Sequence, residues 1–351
     1  MPKRAAQEGV ALLLAVMVLA ILVALIGQMV VTSTHNRSVA QAGLADLQNG
    51  YAARGGYHYA TLYLQADKER DAAVDHLKED WASPLAVPIP ETSTRVWAHI
   101  HDTGRKLHLG YLVNPAGERD PEYEGRLKRL ARHLGIRDEV VDRIADYLDK
   151  DTKGKYEAGA RNALPYTLEE LLRIPEIPRQ TLFGDEEREK PGLVEFLTLW
   201  PAAAQGGSPG GSGSGGGGAG GSAPAASSAP KVNVNTAPLE VLISLDDDLS
   251  EEIARSIIRH RETRRTDGSF QIFKSPADLK NVNGVSDELF QAISSKIDVK
   301  GSVYEIYIRS TTSKLERAWL YVVDRQPDPP QLLATMLQND FLWIREPEEE
   351  E

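Results

Sequence analysis

The chain has 351 residues, with 51 acidic against 40 basic side chains, a net charge of −11 and no Cys. That length accommodates two or three modest domains. The lack of Cys excludes disulfides, thiolate metal sites and a thiolate nucleophile, and the acidic balance argues against a general nucleic-acid binder, whose phosphate contacts need a cationic surface. At the N-terminus, Lys3 and Arg4 are followed by Gln7, Glu8 and Gly9, and then by Val10 to Ile26 without one polar residue. Met29, Val30 and Val31 extend the run. A helix over 10–31 is about 33 Å long and can cross a bilayer core of about 30 Å. The run is too long for a secretory signal peptide, and Thr32-Ser33-Thr34-His35 is a poor cleavage site for one.

Basic residues, a Gly and then an uninterrupted apolar run resemble the leader of type IV pilins and pseudopilins. The resemblance implies a leader over 1–9, cut by a prepilin peptidase between Gly9 and Val10, with Val10 as a new, N-methylated N-terminus. Glu8 beside the cut is unusual for such leaders, and an uncut single-pass anchor is the alternative. Most pilins carry a Glu at the fifth mature position, where this chain has Leu14. A carboxylate in the bilayer is costly unless paired. In the family it pairs with the N-terminal amine of the subunit ahead, so a subunit lacking it can be first, at the tip. The K-type minor pseudopilin of type II secretion lacks this Glu, and Gly9 to Leu13 looks like its start. On the residues alone, Leu14 is one more lipid-facing leucine. The cationic leader places residues 1–8 in the cytoplasm. The expected location is the bacterial inner membrane, spanned once over 10–31, with the bulk of the chain periplasmic.

The region 32–112 reads as a pilin-like helix and a first β-hairpin. Val39, Ala42, Leu44, Leu47, Tyr51, Ala52 and Gly55 carry an apolar stripe, with Gly55-Gly56 as the point where the helix could break. Pro84, Pro88 and Pro90 mark an irregular crossing. Arg95 to His101 alternates as a strand, Asp102 to Arg105 turns, and Lys106 to Leu112 reads as the returning strand. His99, His101 and His108 fall near this turn, but no carboxylate or Cys completes a tetrahedral metal set with them.

Residues 113–200 form the first part of an inserted helical domain. Leu127, Leu130, Ala131 and Leu134 make one stripe; Val140, Val141, Ile144, Ala145 and Leu148 make a second. Asp146 to Asp151 then resembles the Asp-Trp-Ile-Asp-x-Asp segment of K-type pseudopilins, and Asn162, Leu164, Glu170-Leu171 and Ile174-Pro175 resemble the steps after it. Asp149, Asp151 and Glu157 can meet in one loop as hard oxygen ligands for Ca²⁺. The family's calcium in this domain implies the same ion here, while helix capping and solvation explain the same residues without it. Residues 201–230 are almost all Ala, Gly, Ser and Pro, a composition that reads as a flexible linker between two helical units.

The segment 231–300 has the pattern of tandem helix-hairpin-helix repeats, as in competence DNA receptors and again in K-type pseudopilins. A DNA-binding hairpin brings backbone N–H groups at a helix N-terminus to a phosphate through Gly-hydrophobic-Gly. Here the first hairpin is Asp246-Asp247-Asp248-Leu249, which repels phosphate, and the second has Gly284 followed by Ser286. Arg255, Arg259, Arg261, Arg264 and Arg265 gather at one helix end, where the helix dipole also favours them. Nucleic acid is not the expected partner.

Val303 to Arg309 and Arg317 to Asp324 alternate as a C-terminal hairpin within 301–325. Residues 326–351 read as a Pro-rich and acidic tail with a short amphipathic helix between. The expected fold is α+β: a long N-terminal transmembrane and pilin helix, packed on a small antiparallel sheet, with a large helical domain inserted between its hairpins. No catalytic constellation occurs, so an enzyme is not expected. The order of motifs resembles the K-type minor pseudopilins from residue 9 to 325, apart from the linker. The resemblance implies a tip subunit that starts pseudopilus assembly for export of folded periplasmic proteins. Its implied partners are other minor pseudopilins, the major pseudopilin, the prepilin peptidase and the inner-membrane secretion platform. A membrane-anchored helix-hairpin-helix DNA receptor of a competence-type uptake system is the alternative.

Overall fold

In a computed structural model of the chain, residues 3–71, 73–90, 92–114, 116–150, 154–157, 159–185, 190–200, 229–313 and 315–338 are described, with side chains from Leu12 on. The first element is one unbroken helix, α1 (Lys3–Arg70). Its first half is exposed and apolar; it is the one described helix long and apolar enough to cross a membrane. Its second half lies on an antiparallel sheet of five strands: β1 (Leu85–Val87), β2 (Arg95–Asp102), β3 (Val303–Thr312), β4 (Leu315–Asp324) and β5 (Gln331–Gln338), in that spatial order.

The face of α1 that packs is not its most apolar one. Ala45, Asn49, Ala52, Ala53, Gly56, Ala60 and Leu64 are buried, whereas Val39, Leu44, Leu47, Tyr51 and Leu62 are exposed. Steps of three and four residues put the small side chains in one row. A Cβ added at Gly56 would lie 3.0 Å from Val96 Cγ1 and 3.3 Å from Ile308. The glycine pair is therefore a point of close approach and not a break. Asn49 pins the helix to β3 and β4: its Nδ2 donates to Leu315 O at 3.0 Å, and its Oδ1 accepts from Ser310 and Thr312 at 2.8 and 2.7 Å. The dry side of this layer joins Ala53, Ala60 and Leu64 to Val96, Ala98, Ile100, Ile306, Ile308 and Val323.

Two expectations for the sheet change. The segment after β2 does not return along it. Leu107–His108 instead pairs in parallel with Leu197–Thr198, and β2 is flanked by β1 and β3. The hairpin before the insertion is thus β1–β2, and Lys106 to Leu112 belongs to the helical body. Lys106 sits at the departure: its buried ammonium binds Glu305 Oε2 on β3 at 2.6 Å, while the next N–H, of Leu107, donates to Phe196 O at 2.8 Å in the insertion. The second change is at the C-terminal end. Residues 331–338 form β5, paired along β4 from Ala318↔Gln338 to Asp324↔Gln331, and not a helix. Strand pairing satisfies the backbone groups of β4 that a helix would leave open. The rest of the expected tail, 339–351, lies outside the described residues.

The insertion between β2 and β3 is one body with one core. Its helices are α2 (Pro121–His133), α3 (Asp138–Leu148), α4 (Arg179–Phe183), α5 (Leu239–Ser244), α6 (Glu251–Glu262) and α7 (Asp287–Ser294). Asp120 caps α2, accepting from the Tyr123 N–H at 2.9 Å, with Pro121 at the first helical position. Leu127, Leu130 and Ile144 share a core with Leu242, Leu245, Ile257 and Ile293. The two helical regions on either side of 201–228 are therefore packed together. Trp200 and Pro230, at the two ends of that segment, line the same pocket.

Candidate metal centre and membrane helix

At the C-terminal end of α3, Asp146 and Asp149 sit three residues apart on one face, both buried. One oxygen each from Asp146, Asp149 and Glu157 lie within 4.8 Å of one another. The loop that follows α3 folds back over them. The Gly154 N–H donates to Glu157 Oε1 at 2.8 Å, and the Tyr156 N–H donates to Asp146 Oδ2 at 2.7 Å. A Cβ added at Gly154 would collide with both Asp146 and Glu157, so this cradle requires glycine. Arg119 enters from the other side, with Nε 2.9 Å from Asp149 Oδ2 and Nη2 against Asp146 Oδ1. Asn162, at φ 55°, holds a buried Oδ1 with no hydrogen-bond partner.

Three carboxylates are hard oxygen donors of the type Ca²⁺ takes. The structure brings together two of the three residues expected from the sequence, Asp149 and Glu157. Asp151 lies outside the described residues. Asp146 was missed as a ligand, although its i, i+3 spacing to Asp149 at a helix end was the available signal. Arg119 could not be anticipated, since it comes from 30 residues upstream and no local pattern links it to the motif. Its guanidinium supplies the positive charge of the site, and its side chain is 30% exposed, so it has a path out to water.

The three histidines do not form such a group. His108 is buried, and its Nδ1 accepts from the Gly110 N–H at 3.0 Å. His99 and His101 lie on β2, and burial pushes both below the usual imidazole range, His101 well below, with Arg105 and Lys106 adding to the effect.

The helix-hairpin-helix region uses its carboxylates internally. Asp247 pairs with Arg129 at 3.1 Å, and Asp246 with Lys296 at 3.2 Å. Arg129 also donates to the carbonyl of Ser244 at 2.9 Å, which ties α2 to the first hairpin. Burial alone would raise the Asp246 carboxyl; the Asp248 N–H and Lys296 hold it below the usual range instead. In the second hairpin Gly284 has φ +94° against Ile253, and Ser286 caps α7 through the Leu289 N–H at 3.1 Å. Arg261 is buried and donates to Val234 O at 2.6 Å, and Arg255 pairs with Glu251 at 2.7 Å. These groups hold the fold together, and the geometry offers no phosphate cradle at the first hairpin.

Gly9 and Val10 lie in the helical backbone of α1, and Leu14 is 55% exposed on the apolar part of α1. Three features define a class of fold: a long apolar helix, its small-residue face on a small antiparallel sheet, and a helical body inserted into that sheet. Comparison with known proteins places the chain beside that class. Residues 232–300 match the family model of Type II secretion system (T2SS), protein K. The chain also superposes on a chain of the GspK–GspI–GspJ complex from the enterotoxigenic Escherichia coli Type 2 Secretion System, with a TM-score of 0.61 at 12% identity. The superposition covers 86% of this chain and 99% of that one. No curated protein matches the sequence. The α+β fold expected from the sequence is the fold found.

Proposed function

We propose that this protein is a minor pseudopilin of the type II secretion machine, placed at the tip of the pseudopilus, where it starts assembly for the export of folded proteins. One observation carries the reading. The region matching protein K is the C-terminal half of a helical body inserted into a pilin-like sheet, behind a single membrane-length helix. In this reading the prepilin peptidase cuts between Gly9 and Val10. The helix anchors the subunit in the inner membrane, with the bulk of the chain periplasmic. Leu14, having no carboxylate to pair, needs no subunit ahead of it. The exposed face of Leu44, Leu47, Tyr51 and Leu62 is the one that other pseudopilin helices would cover, since burying such side chains is favourable by about 25 cal/mol per Å². Nothing in the reading calls for catalysis.

The carboxylate cradle would hold Ca²⁺ through Asp146, Asp149 and Glu157, with Asp151 as a further ligand and Arg119 displaced toward water. The ion would supply the charge that now comes from one guanidinium, and would tie the loop at 154–157 to the end of α3. Its role is structural, fixing the helical body that neighbouring subunits meet.

The first test is the intact N-terminus of the chain, expressed with and without a prepilin peptidase. A new terminus at Val10, formed only with the peptidase, is the expected outcome. Residues 1–9 retained in both cases would mean an ordinary anchor and end the pseudopilin reading.

A further inference from the structure

A second carboxylate cluster, not used above, fastens the end of α1 to the rest of the molecule. Asp67 comes from α1, and Asp75 and Glu79 come from the connector that follows it. One oxygen of each lies within 4.8 Å of the others. The Arg325 side chain, 1% exposed just after β4, donates to Asp67 Oδ2 at 2.7 Å and to Asp75 Oδ1 at 2.5 Å. Tyr304 Oη and the Gly301 N–H also donate to Asp75, at 2.8 and 2.6 Å. Glu79 Oε2 accepts from Trp81 Nε1 at 2.6 Å and from the His76 N–H at 3.1 Å. The helical body is held through the same residues. The Asp75 N–H donates to Val299 O at 2.9 Å, and Asn233 Nδ2 bridges Asp75 O and Asp102 Oδ2 at 3.1 and 2.9 Å.

The charges do not balance. The groups facing the cluster are Asp67 and Arg70 from α1; Asp71, Asp75, His76 and Glu79 from the connector; Asp102 from β2; and Tyr304 and Arg325 from the sheet. Arg70 is spent on Asp80 at the exposed rim, 3.1 Å away. His76 Nε2 lies 3.6 Å from Glu79 Oε1, and burial pushes the imidazole below its ordinary range, which weakens it as a counter-charge. One buried guanidinium thus faces three carboxylates, with Asp102 close behind. An unpaired buried carboxylate is strongly unfavourable, and such a group takes up a proton instead. Burial first, then the charges of Asp67 and Asp75, raise Glu79 to about 8; burial raises Asp67 and Asp102 to about 6.

We propose that this junction is a proton-dependent clasp: Asp67 and Glu79, crowded with Asp75 around Arg325, hold a proton at neutral pH, and its loss loosens the attachment of the helical body to the end of α1. The sign follows from the direction of the shifts. A carboxyl whose proton is held more tightly in the folded state favours folding at low pH. That contribution falls away as pH rises from the ordinary carboxylate range through about 8.

The test uses the full chain in detergent. The infrared C=O stretch of a protonated carboxyl should be present at pH 7, vanish by about pH 9.5, and be missing over that range in Glu79→Gln. Thermal unfolding should fall by roughly 5 °C from pH 6 to pH 9 in the natural chain, and by less than half as much in Glu79→Gln. Should Glu79→Gln not fold, Asp67→Asn serves in its place. It removes a neighbouring negative charge, so the band should vanish at lower pH than in the natural chain. No protonated band at pH 7, equal pH slopes in the natural chain and Glu79→Gln, or an unmoved band in Asp67→Asn would each overturn the clasp.

Discussion

Two clusters in this molecule each gather three carboxylates with one arginine pairing two of them, and their arginines differ in exposure. At the end of α3, a loop supplies backbone N–H groups to Asp146 and Glu157, and Arg119 is part-exposed. At the end of α1, Arg325 is sealed in, with Trp81 and Tyr304 packed edge to face at 5.3 Å and Tyr304 against the guanidinium. A guanidinium that can swing out leaves room for a hard cation. A guanidinium that cannot move leaves only proton uptake to neutralise the excess. If both readings hold, the exposure of the arginine, more than the number of carboxylates, separates a cluster suited to a metal from one suited to a proton.

The largest effect should come from breaking the sealed cluster. Arg325→Met removes the cation between Asp67 and Asp75 and should cost about 3–5 kcal/mol, because it strands buried carboxylates. Denaturant unfolding would measure it. Arg119→Met should cost clearly less in the presence of Ca²⁺, because the ion can take over the charge. Equal losses in the two variants, with Ca²⁺ present, would dissolve the distinction between the clusters.

The next effect sharpens the same contrast from the ligand side. If the α3 site takes Ca²⁺, then Ca²⁺ at about a hundred times its dissociation constant should stabilise the chain by about 2.7 kcal/mol. The gain should vanish in Asp146→Asn and persist in Glu79→Gln. Isothermal titration and a melting curve with and without chelator would settle both points. A gain that survives Asp146→Asn would place the ion elsewhere. The pH response should divide the opposite way: Asp146→Asn should keep the fall in stability between about pH 4 and 8 that the raised Glu79 and Asp67 pKa values impose.

The sequence made some of this legible and hid the rest for definite reasons. The membrane run, the strands over 95–101, 303–309 and 317–324, each a residue to three shorter than in the structure, and the helices around Leu130, Ile144 and Ile257 follow from the apolar pattern. The packing face of α1 did not. A stripe search rewards large apolar residues such as Leu44 and Leu47, whereas close approach to a sheet rewards Ala53, Gly56 and Ala60. β5 was hidden because a short apolar stretch has no decisive period, and its pairing with β4 decides its form. In the α3 site, Asp149 and Glu157 stand out as oxygen donors near a helix end. Arg119, like Arg325 in the clasp, acts across the fold, and no local pattern points to such a partner.

The smallest effect tests whether both clusters stand on one body. The 201–228 segment separates the α3 site in sequence from Asn233 and Gly301, which meet the clasp, yet the residues flanking it share a core and a pocket. A segment that joins two independently folded units changes nothing when shortened. A segment whose ends are brought together by folding carries a closure entropy, and halving its length should stabilise the chain by about 0.6 kcal/mol. Denaturant unfolding of the shortened chain against the natural one measures this, and a second reading comes at no extra cost. Both the Ca²⁺ response and the pH slope should be unchanged, because neither depends on the segment. A loss of stability on shortening would mean that 201–228 makes favourable contacts of its own, and the one-body account of the insertion would have to include them.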